Sequence, residues 1–284
     1  MNRRAWTLAF ILALTAAAFA NGLSGDFVWD DRFVLVKNLA IRDLANFPSF
    51  FTDPHTASGN PHLVFYRPLR TAIYALAYHA WGLDPFGYHL INLLLHMANV
   101  CLVLLVLEQL EVSAGVAAVT AGVFAVHPIV TEAVTNITGL TDVLFVFFYL
   151  LAWLAHLRAA RSAEWEWRWA VASWVAFAAA LLSKEMALTF PILAAVGDRL
   201  GSVKPRNWRE RSRLAHYGAL AVVAIIYLLL RTSFMGGIGQ RAEWPGGNPW
   251  RTWLMQCYVI VRYVQLVLFP AGQSIRHVVP IPES

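Results

Sequence analysis

The stretch PFGYHLINLLLHMANVCLVLLVLE, residues 85–108, is an apolar run whose one charged residue is the glutamate at its end. A helix needs about 20 mostly apolar residues to cross the hydrocarbon core of a bilayer, so this stretch is long enough to span. Working outward from it, apolar runs between clusters of charge predict an all-α polytopic membrane protein with about seven to nine transmembrane helices. The further predicted spans are 4–23, 113–127, 141–156, 169–183, 186–196, 214–230 and 251–270, the last being either a span or a lateral helix on the outer surface. A shorter apolar run, 69–81, predicts an interfacial or buried helix on the outer side.

The composition agrees with a membrane protein and argues against other classes. Hydrophobic residues make up 58% of the chain and charged residues 14%, whereas soluble domains carry about 25% charged residues. The net charge of +5 does not indicate a nucleic-acid partner, because no soluble module holds the basic residues together. Cys101 and Cys257 lie in apolar runs without metal-ligand spacing, so no metal, cofactor or disulfide is predicted.

The basic residues predict which ends of the helices face the cytoplasm. One group crowds the loop 198–213, and it comprises Arg199, Lys204, Arg206, Arg209, Arg211 and Arg213. Because cytoplasmic loops carry an excess of lysine and arginine, this loop, the segment 158–168 and Arg3-Arg4 are placed on the cytoplasmic side. The loop 24–68 then becomes a long first extracytoplasmic loop. A cleaved signal peptide ending at Ala18-Phe19-Ala20 is the alternative for the N-terminus.

Polar residues within the spans mark candidate sites. His89, Asn92, His96 and Asn99 fall within an arc of about 80° on one helix. Such a stripe either lines a cavity or forms hydrogen bonds that hold helices together. For His89, near the outer end, the site is favoured, whereas His96 and Asn99 fit both interpretations equally.

The adjacent carboxylates Asp30 and Asp31 stand just after the first span. Taken alone, the pair is as well explained by a solvated loop or a helix N-cap. Other ionisable residues, however, are expected at the same membrane face, where a carboxylate could accept a proton from a hydroxyl and Arg67 and Lys184 could hold a phosphate diester. Lys184-Glu185 could also be an internal ion pair. The remaining predicted pocket residues are Tyr66, His127, Glu132, Asp142 and Glu185.

The motifs resemble a known family. They are GDFVWDD (25–31), YRPL (66–69), GLDPFGYHLINLLLH (82–96), FAVHPIVTEAV (124–134), KE (184–185) and LFP (268–270), in that order along nearly the whole chain. Together they are similar to the transmembrane and tetratricopeptide-repeat O-mannosyltransferases of the GT-C superfamily. The resemblance covers 1–284 as a single GT-C-like transmembrane domain, without the repeat domain.

The resemblance implies a chemistry. Asp30 or Asp31 would be the general base, and it would activate a protein Ser or Thr hydroxyl to attack a polyprenyl-phosphate sugar with inversion. Arg67 and Lys184 would hold the leaving phosphate, and His89, His127 and Glu132 would shape the pocket. The protein would lie in a bacterial inner membrane with its active face extracytoplasmic.

The sequence also departs from the family pattern. Val130 replaces a histidine, Leu140 replaces an arginine, and Arg276 stands where an aspartate is common. These departures keep open a second hypothesis, in which the chain is a GT-C-derived structural subunit of a membrane protein complex.

Overall fold

The computed structural model describes residues 3–161, 166–200, 211–236 and 244–274. Most of the predicted basic loop (201–210) and Arg276 lie outside the described residues. The described part is helical and contains the following α-helices: α1 (Arg3–Phe19), α2 (Pro68–Trp81), α3 (Pro85–Gln109), α4 (Ala114–Val126), α5 (Thr131–Thr135), α6 (Leu140–Arg161), α7 (Trp167–Ser183), α8 (Phe190–Arg199), α9 (Arg211–Met235) and α10 (Pro249–Leu268).

Within the ranges that the structure describes, four helical segments are long and apolar enough to cross a membrane. They are Arg3–Ser24, Pro85–Gln109, Ile137–Arg161 and Arg211–Met235. The helices Ala114–Val126 and Pro128–Thr135 make a fifth span if this pair, bent by 44°, counts as one. Apolar α7 is shorter. The all-α polytopic membrane fold is therefore confirmed.

Among the described residues, fewer helices are long and apolar enough to span than the predicted seven to nine. The segment predicted to span at 186–196 forms a 3₁₀ turn followed by α8, which has 10 residues. A helix of that length rises about 15 Å, half of the roughly 30 Å hydrocarbon core. Helix α10 has 20 residues, but it carries Arg251 and Arg262 and is not among the apolar spans of the described chain.

Helix α3 is the centre of the bundle and packs against α1, α4 and α6. Its polar stripe mostly forms tethers to these neighbours. His96 Nε2 lies 3.0 Å from the Ala125 carbonyl oxygen, and Asn99 Nδ2 donates to the Val143 carbonyl (2.9 Å). For His96 and Asn99, the structure therefore favours the bundle-holding interpretation.

The first loop is folded rather than solvated. Short turns of 3₁₀ and π-helix bring Leu35, Ile41 and Phe50 into a core shared with α2. Helix α2 was predicted at 69–81, and its first turn contains Pro68, a position that tolerates proline because the first amide needs no helical acceptor. It ends where Gly82 adopts a positive φ of 58°, a conformation that glycine adopts without steric cost. The loop thus forms a layer that covers one end of the bundle.

A buried polar network joins the opposite ends of α6, α7, α8 and α9. The Nε1–H of Trp174 donates to Nδ1 of His216 (2.9 Å), and Nε2 of His216 lies 3.1 Å from Nδ1 of His156. His156 Nε2 in turn lies 3.2 Å from Asp198 Oδ1, and the Tyr217 hydroxyl donates to Asp198 Oδ2 (2.8 Å). Because buried polar groups are costly without partners, this network fixes short α8 against its longer neighbours.

Candidate active site

The two adjacent aspartates have different environments. Asp31 is fully buried, and its carboxylate accepts backbone N–H groups from Val28 (3.0 Å) and Thr138 (3.0 Å). Asp30 is exposed. Burial raises the pKa of Asp31, despite the lowering effect of these hydrogen bonds. Asp31 therefore holds the loop against the turn before α6, and Asp30 presents the available carboxylate.

Trp29, the residue directly before Asp30, has a strained backbone conformation. Trp29 has a φ of 46°, and its side chain is 62% exposed. A bulky residue is a genuine outlier in the left-handed region, and such strain persists only where the surrounding structure enforces it. Directly after this position, Asp30 is exposed and Asp31 is buried.

An ion cluster lies at the same membrane face, where α2 begins and α9 ends. The carboxylate of Glu185 lies 3.5 Å from Arg67 Nη2 and 3.4 Å from Arg231 Nη1. Although burial raises the pKa of Glu185, hydrogen bonding and the two guanidinium groups lower it overall. One carboxylate thus holds two arginines side by side. We call Arg67, Arg70, Glu185 and Arg231 the arginine cluster.

Arg70 is the buried member of the arginine cluster. It is only 2% exposed, and its Nη2 donates to the Ala57 carbonyl (3.1 Å). Burial, with a smaller contribution from the charge of Arg67, lowers its pKa to about 10, although Tyr74, Asp30 and Glu185 act to raise it. The hydrogen bond to Ala57 ties Arg70 to the first loop, which also carries Asp30.

Lys184 neighbours this cluster but has a different partner. Its ammonium group forms an ion pair with Asp142 at the start of α6. Arg67 and Lys184, the predicted phosphate-binding residues, therefore have different partners. Lys184 pairs with Asp142, and Arg67 pairs with Glu185, the neighbour of Lys184 in the chain. Tyr66 is buried next to Tyr227, and its hydroxyl donates to the Phe51 carbonyl (3.0 Å).

The predicted pocket histidines lie near α5 and the first loop. His89 is buried, and a Cβ atom at Gly25 would stand 2.9 Å from its Nε2. His127 Nδ1 accepts the Ile129 N–H (3.2 Å), and Nε2 lies 3.1 Å from the Val267 carbonyl oxygen. His127 thus caps a turn and tethers α10.

Asn92 is buried and donates to the Asn136 carbonyl (2.7 Å), so it ties α3 to the turn before α6. Glu132 is exposed and lines a cavity of about 580 Å³ between α5 and α10. In the part of the chain that the structure describes, no three His, Cys, Asp or Glu side chains are grouped as metal ligands.

Sequence analysis missed Arg70 and Arg231. Arg70 follows Arg67 by three residues on a helix, and residues at that spacing share a face. Arg231 is a basic residue directly after the predicted span 214–230, at the end expected to be extracytoplasmic, against the usual cytoplasmic bias. Both signals were available in the sequence.

In the described residues, four or five apolar spans and a charged site at one end of the bundle define the class: a polytopic membrane protein with a candidate active site. Residues 68–232 match the family described as dolichyl-phosphate-mannose-protein mannosyltransferase. This chain belongs to that family.

Curated relatives agree with this assignment. Protein O-mannosyl-transferase Tmtc1 of Drosophila melanogaster is 36% identical over 205 residues, which cover 70% of this chain and 23% of the relative. Tmtc2 of the same organism is 31% identical over 283 residues, 93% of this chain and 30% of the relative. Human TMTC1 is 36% identical over 160 residues, 53% of this chain and 18% of the relative. The predicted family resemblance is confirmed, and the chain spans less than a third of each of these relatives. No solved structure matches the chain significantly.

Proposed function

We propose that this chain is a membrane glycosyltransferase that moves a sugar, mannose, from a polyprenyl-phosphate donor to the hydroxyl of a protein serine or threonine. The observation that carries the proposal is the exposed carboxylate of Asp30 on a first loop that packs against α2, the helix that carries Arg70. The family match and the names of the relatives support the transfer of mannose to protein.

The roles follow from the chemistry of the groups. Asp30 takes the proton from the acceptor hydroxyl as its oxygen bonds to the anomeric carbon. The bond between that carbon and the phosphate oxygen breaks, and polyprenyl phosphate leaves. A single displacement inverts the anomeric centre. Asp31 holds the loop in place and does not react.

The arginine cluster suits the leaving phosphate. Guanidinium groups bind phosphate oxygens in a bidentate manner, and Glu185 spaces Arg67 and Arg231 around one anion. Lys184 adds a fourth positive charge, beside its partner Asp142. The donor's phosphate would displace part of these ion pairs, and the cations would stabilise the charge that develops as the donor bond breaks.

The test is transfer of radiolabelled mannose from polyprenyl-phosphate mannose to an acceptor peptide by purified protein. Asp30→Asn should abolish transfer without unfolding the protein. Asp26→Asn is the matched control, because Asp26 is an exposed aspartate of the same loop, and it should retain activity. Full transfer by the Asp30→Asn variant would refute Asp30 as the base.

A second candidate, a structural subunit of a membrane complex, is favoured by one observation. Leu140 is 1% exposed within the core, and Val130 packs against the same core. These two departures from the family pattern therefore serve packing in this chain. No transfer with any polyprenyl-phosphate sugar, from a protein that purifies stably with other subunits, would favour this candidate.

A further inference from the structure

A second cavity, of about 210 Å³, lies at the end of the bundle opposite the candidate active site. Helices α3 and α6 end there, and α7 begins there. The other ends of α6 and α7 carry the ion pair between Asp142 and Lys184. We call this cavity the Arg158 cavity, and its lining consists of Gln109, Arg158, Arg161, Glu166 and Trp169.

Arg158 is the basic residue of this cavity that has no carboxylate partner in the described part of the chain. Its side chain is half-buried, and its guanidinium carbon lies 4.6 Å from the centre of the Trp169 ring. A guanidinium group carries five N–H donors, and contact with the face of a ring leaves these donors available. The geometry therefore offers Arg158 as a preorganised donor to an anion.

The other charges around the Arg158 cavity balance each other. Glu166 accepts from Arg168, whose Nε and Nη2 both lie 2.7 Å from its Oε2. Arg161 forms an ion pair with Glu111. These two arginines thus offset two glutamates, and Arg158 adds a positive charge to the balanced pairs. An anion that enters the cavity would meet this charge.

The surroundings of the Arg158 cavity fit a lipid better than a solute. Leu154, Leu151 and Phe147 precede Arg158 at spacings of four, three and four residues, so they share its face of α6. Leu151 and Phe147 are half-buried, and apolar surface therefore continues from Arg158 toward the middle of the span. Tryptophan, here Trp169, is enriched where membrane meets water.

The size of the Arg158 cavity limits what enters it. Pockets that enclose whole small molecules measure about 300–1,000 Å³, and this cavity, of about 210 Å³, is smaller. It admits a phosphate group whose attached chains stay outside, along α6.

We propose that the Arg158 cavity binds the phosphate head group of an anionic phospholipid from the leaflet at that end of the bundle. Arg158 donates to the phosphate oxygens, and Trp169 holds its guanidinium group in place. Basic pockets between transmembrane helices are typical sites for such head groups. The inference does not rest on the proposed function, because the cavity shares no residue with the candidate active site.

The test is lipid retention by the protein purified from vesicles of phosphatidylglycerol, which is anionic, and phosphatidylcholine, which has no net charge. Native mass spectrometry counts the bound lipids of each type. The unmodified protein should retain phosphatidylglycerol preferentially. Arg158→Gln should lower this retention by about fivefold, the contribution of one arginine at a membrane surface.

Two further variants make the result specific. Glu166→Gln removes the negative charge that lines the cavity and should raise phosphatidylglycerol retention, a gain that misfolding would not produce. Arg3→Gln is the matched control, because Arg3 is exposed and does not line the cavity, and its neighbour Arg4 contacts Glu108 at the same end of the bundle. Arg3→Gln should retain phosphatidylglycerol like the unmodified protein.

Three results would overturn the inference. Arg158→Gln could retain as much phosphatidylglycerol as the unmodified protein, which would exclude the cavity. Equal losses in Arg158→Gln and Arg3→Gln would assign the preference to the charge of the whole surface. Inorganic phosphate is also titrated into the detergent-solubilised protein by calorimetry. Phosphate binding that depends on Arg158, from a protein that retains no phosphatidylglycerol, would assign the cavity to a soluble phosphate compound instead.

Discussion

Substitution of Asp31 tests whether Asp31 stabilises the fold while Asp30 acts as the base. The buried carboxylate satisfies two backbone N–H groups, those of Val28 and Thr138. Asp31→Ala leaves the Val28 N–H without an acceptor, whereas the Thr138 N–H keeps the Asn136 Oδ1 atom (3.2 Å). An unsatisfied buried donor costs about 1–3 kcal/mol, so the expected loss of unfolding free energy is of that size. Asp31→Asn keeps one acceptor oxygen and should lose about half as much.

Asp30 should show the opposite pattern. Its side chain is exposed, and surface substitutions usually change stability by about 0.5 kcal/mol or less. Asp30→Asn and Asp30→Ala should therefore unfold like the unmodified protein while losing sugar transfer.

The assay is thermal unfolding of the purified protein in detergent, with sugar transfer measured on the same samples. Stability should fall in the order unmodified protein, Asp31→Asn, Asp31→Ala, and the Asp31→Asn protein that remains folded should transfer sugar. The reasoning is refuted if Asp31→Asn is as stable as the unmodified protein but inactive while Asp30→Asn is active, because Asp31 would then be the base.

Three further perturbations test other parts of the structure. The folded-state pKa of Glu185 lies below its ordinary value of 4.5, so its stabilising effect is present above that value and is lost as the pH falls through the folded-state pKa. Unfolding curves of Glu185→Gln should lack this acid-dependent loss, and an identical loss in the variant would contradict the ion-pair assignment. Gly25→Ala places a Cβ 2.9 Å from His89 Nε2 and should cost about 1–3 kcal/mol by overpacking. The cost is measured as a lower unfolding temperature, and an unchanged temperature would contradict the tight packing of Gly25 against His89. Asn99→Ala removes a hydrogen bond between α3 and α6 and should lower the unfolding free energy by about 0.6 kcal/mol, the typical value within a membrane. The KM of each substrate should stay the same, and a changed KM would place Asn99 in the site.

The sequence predicts the long spans well because hydropathy and length are local properties. The apolar runs near α3, α6 and α9 need no partner to be recognised. The 186–196 segment failed as a span for a local reason as well. Pro191 lies in the first turn of α8, and since proline is tolerated there and not in a helix interior, the helix begins too late to span.

The site is less accessible to sequence reasoning. Asp30 and Asp31 are chemically identical neighbours, and only the folded chain shows that Asp30 is exposed and Asp31 is buried. The link between Glu185 and Arg231 likewise depends on how the ends of α7 and α9 meet. Motifs bring the right residue types to one membrane face, but packing decides which of them become partners.

The hydrogen bond between Asp31 and the Thr138 N–H also has a consequence for biogenesis. It joins Asp31 to Thr138, which follows 107 residues later in the chain. Ribosomes add about 5–20 residues per second, so the first loop waits on the order of 5–20 s before its docking partner is synthesised. Synthesis of this loop and its final folding are therefore separate events. A nascent chain arrested before Thr138 should leave the loop open to added protease, and a chain that extends past α6 should protect it.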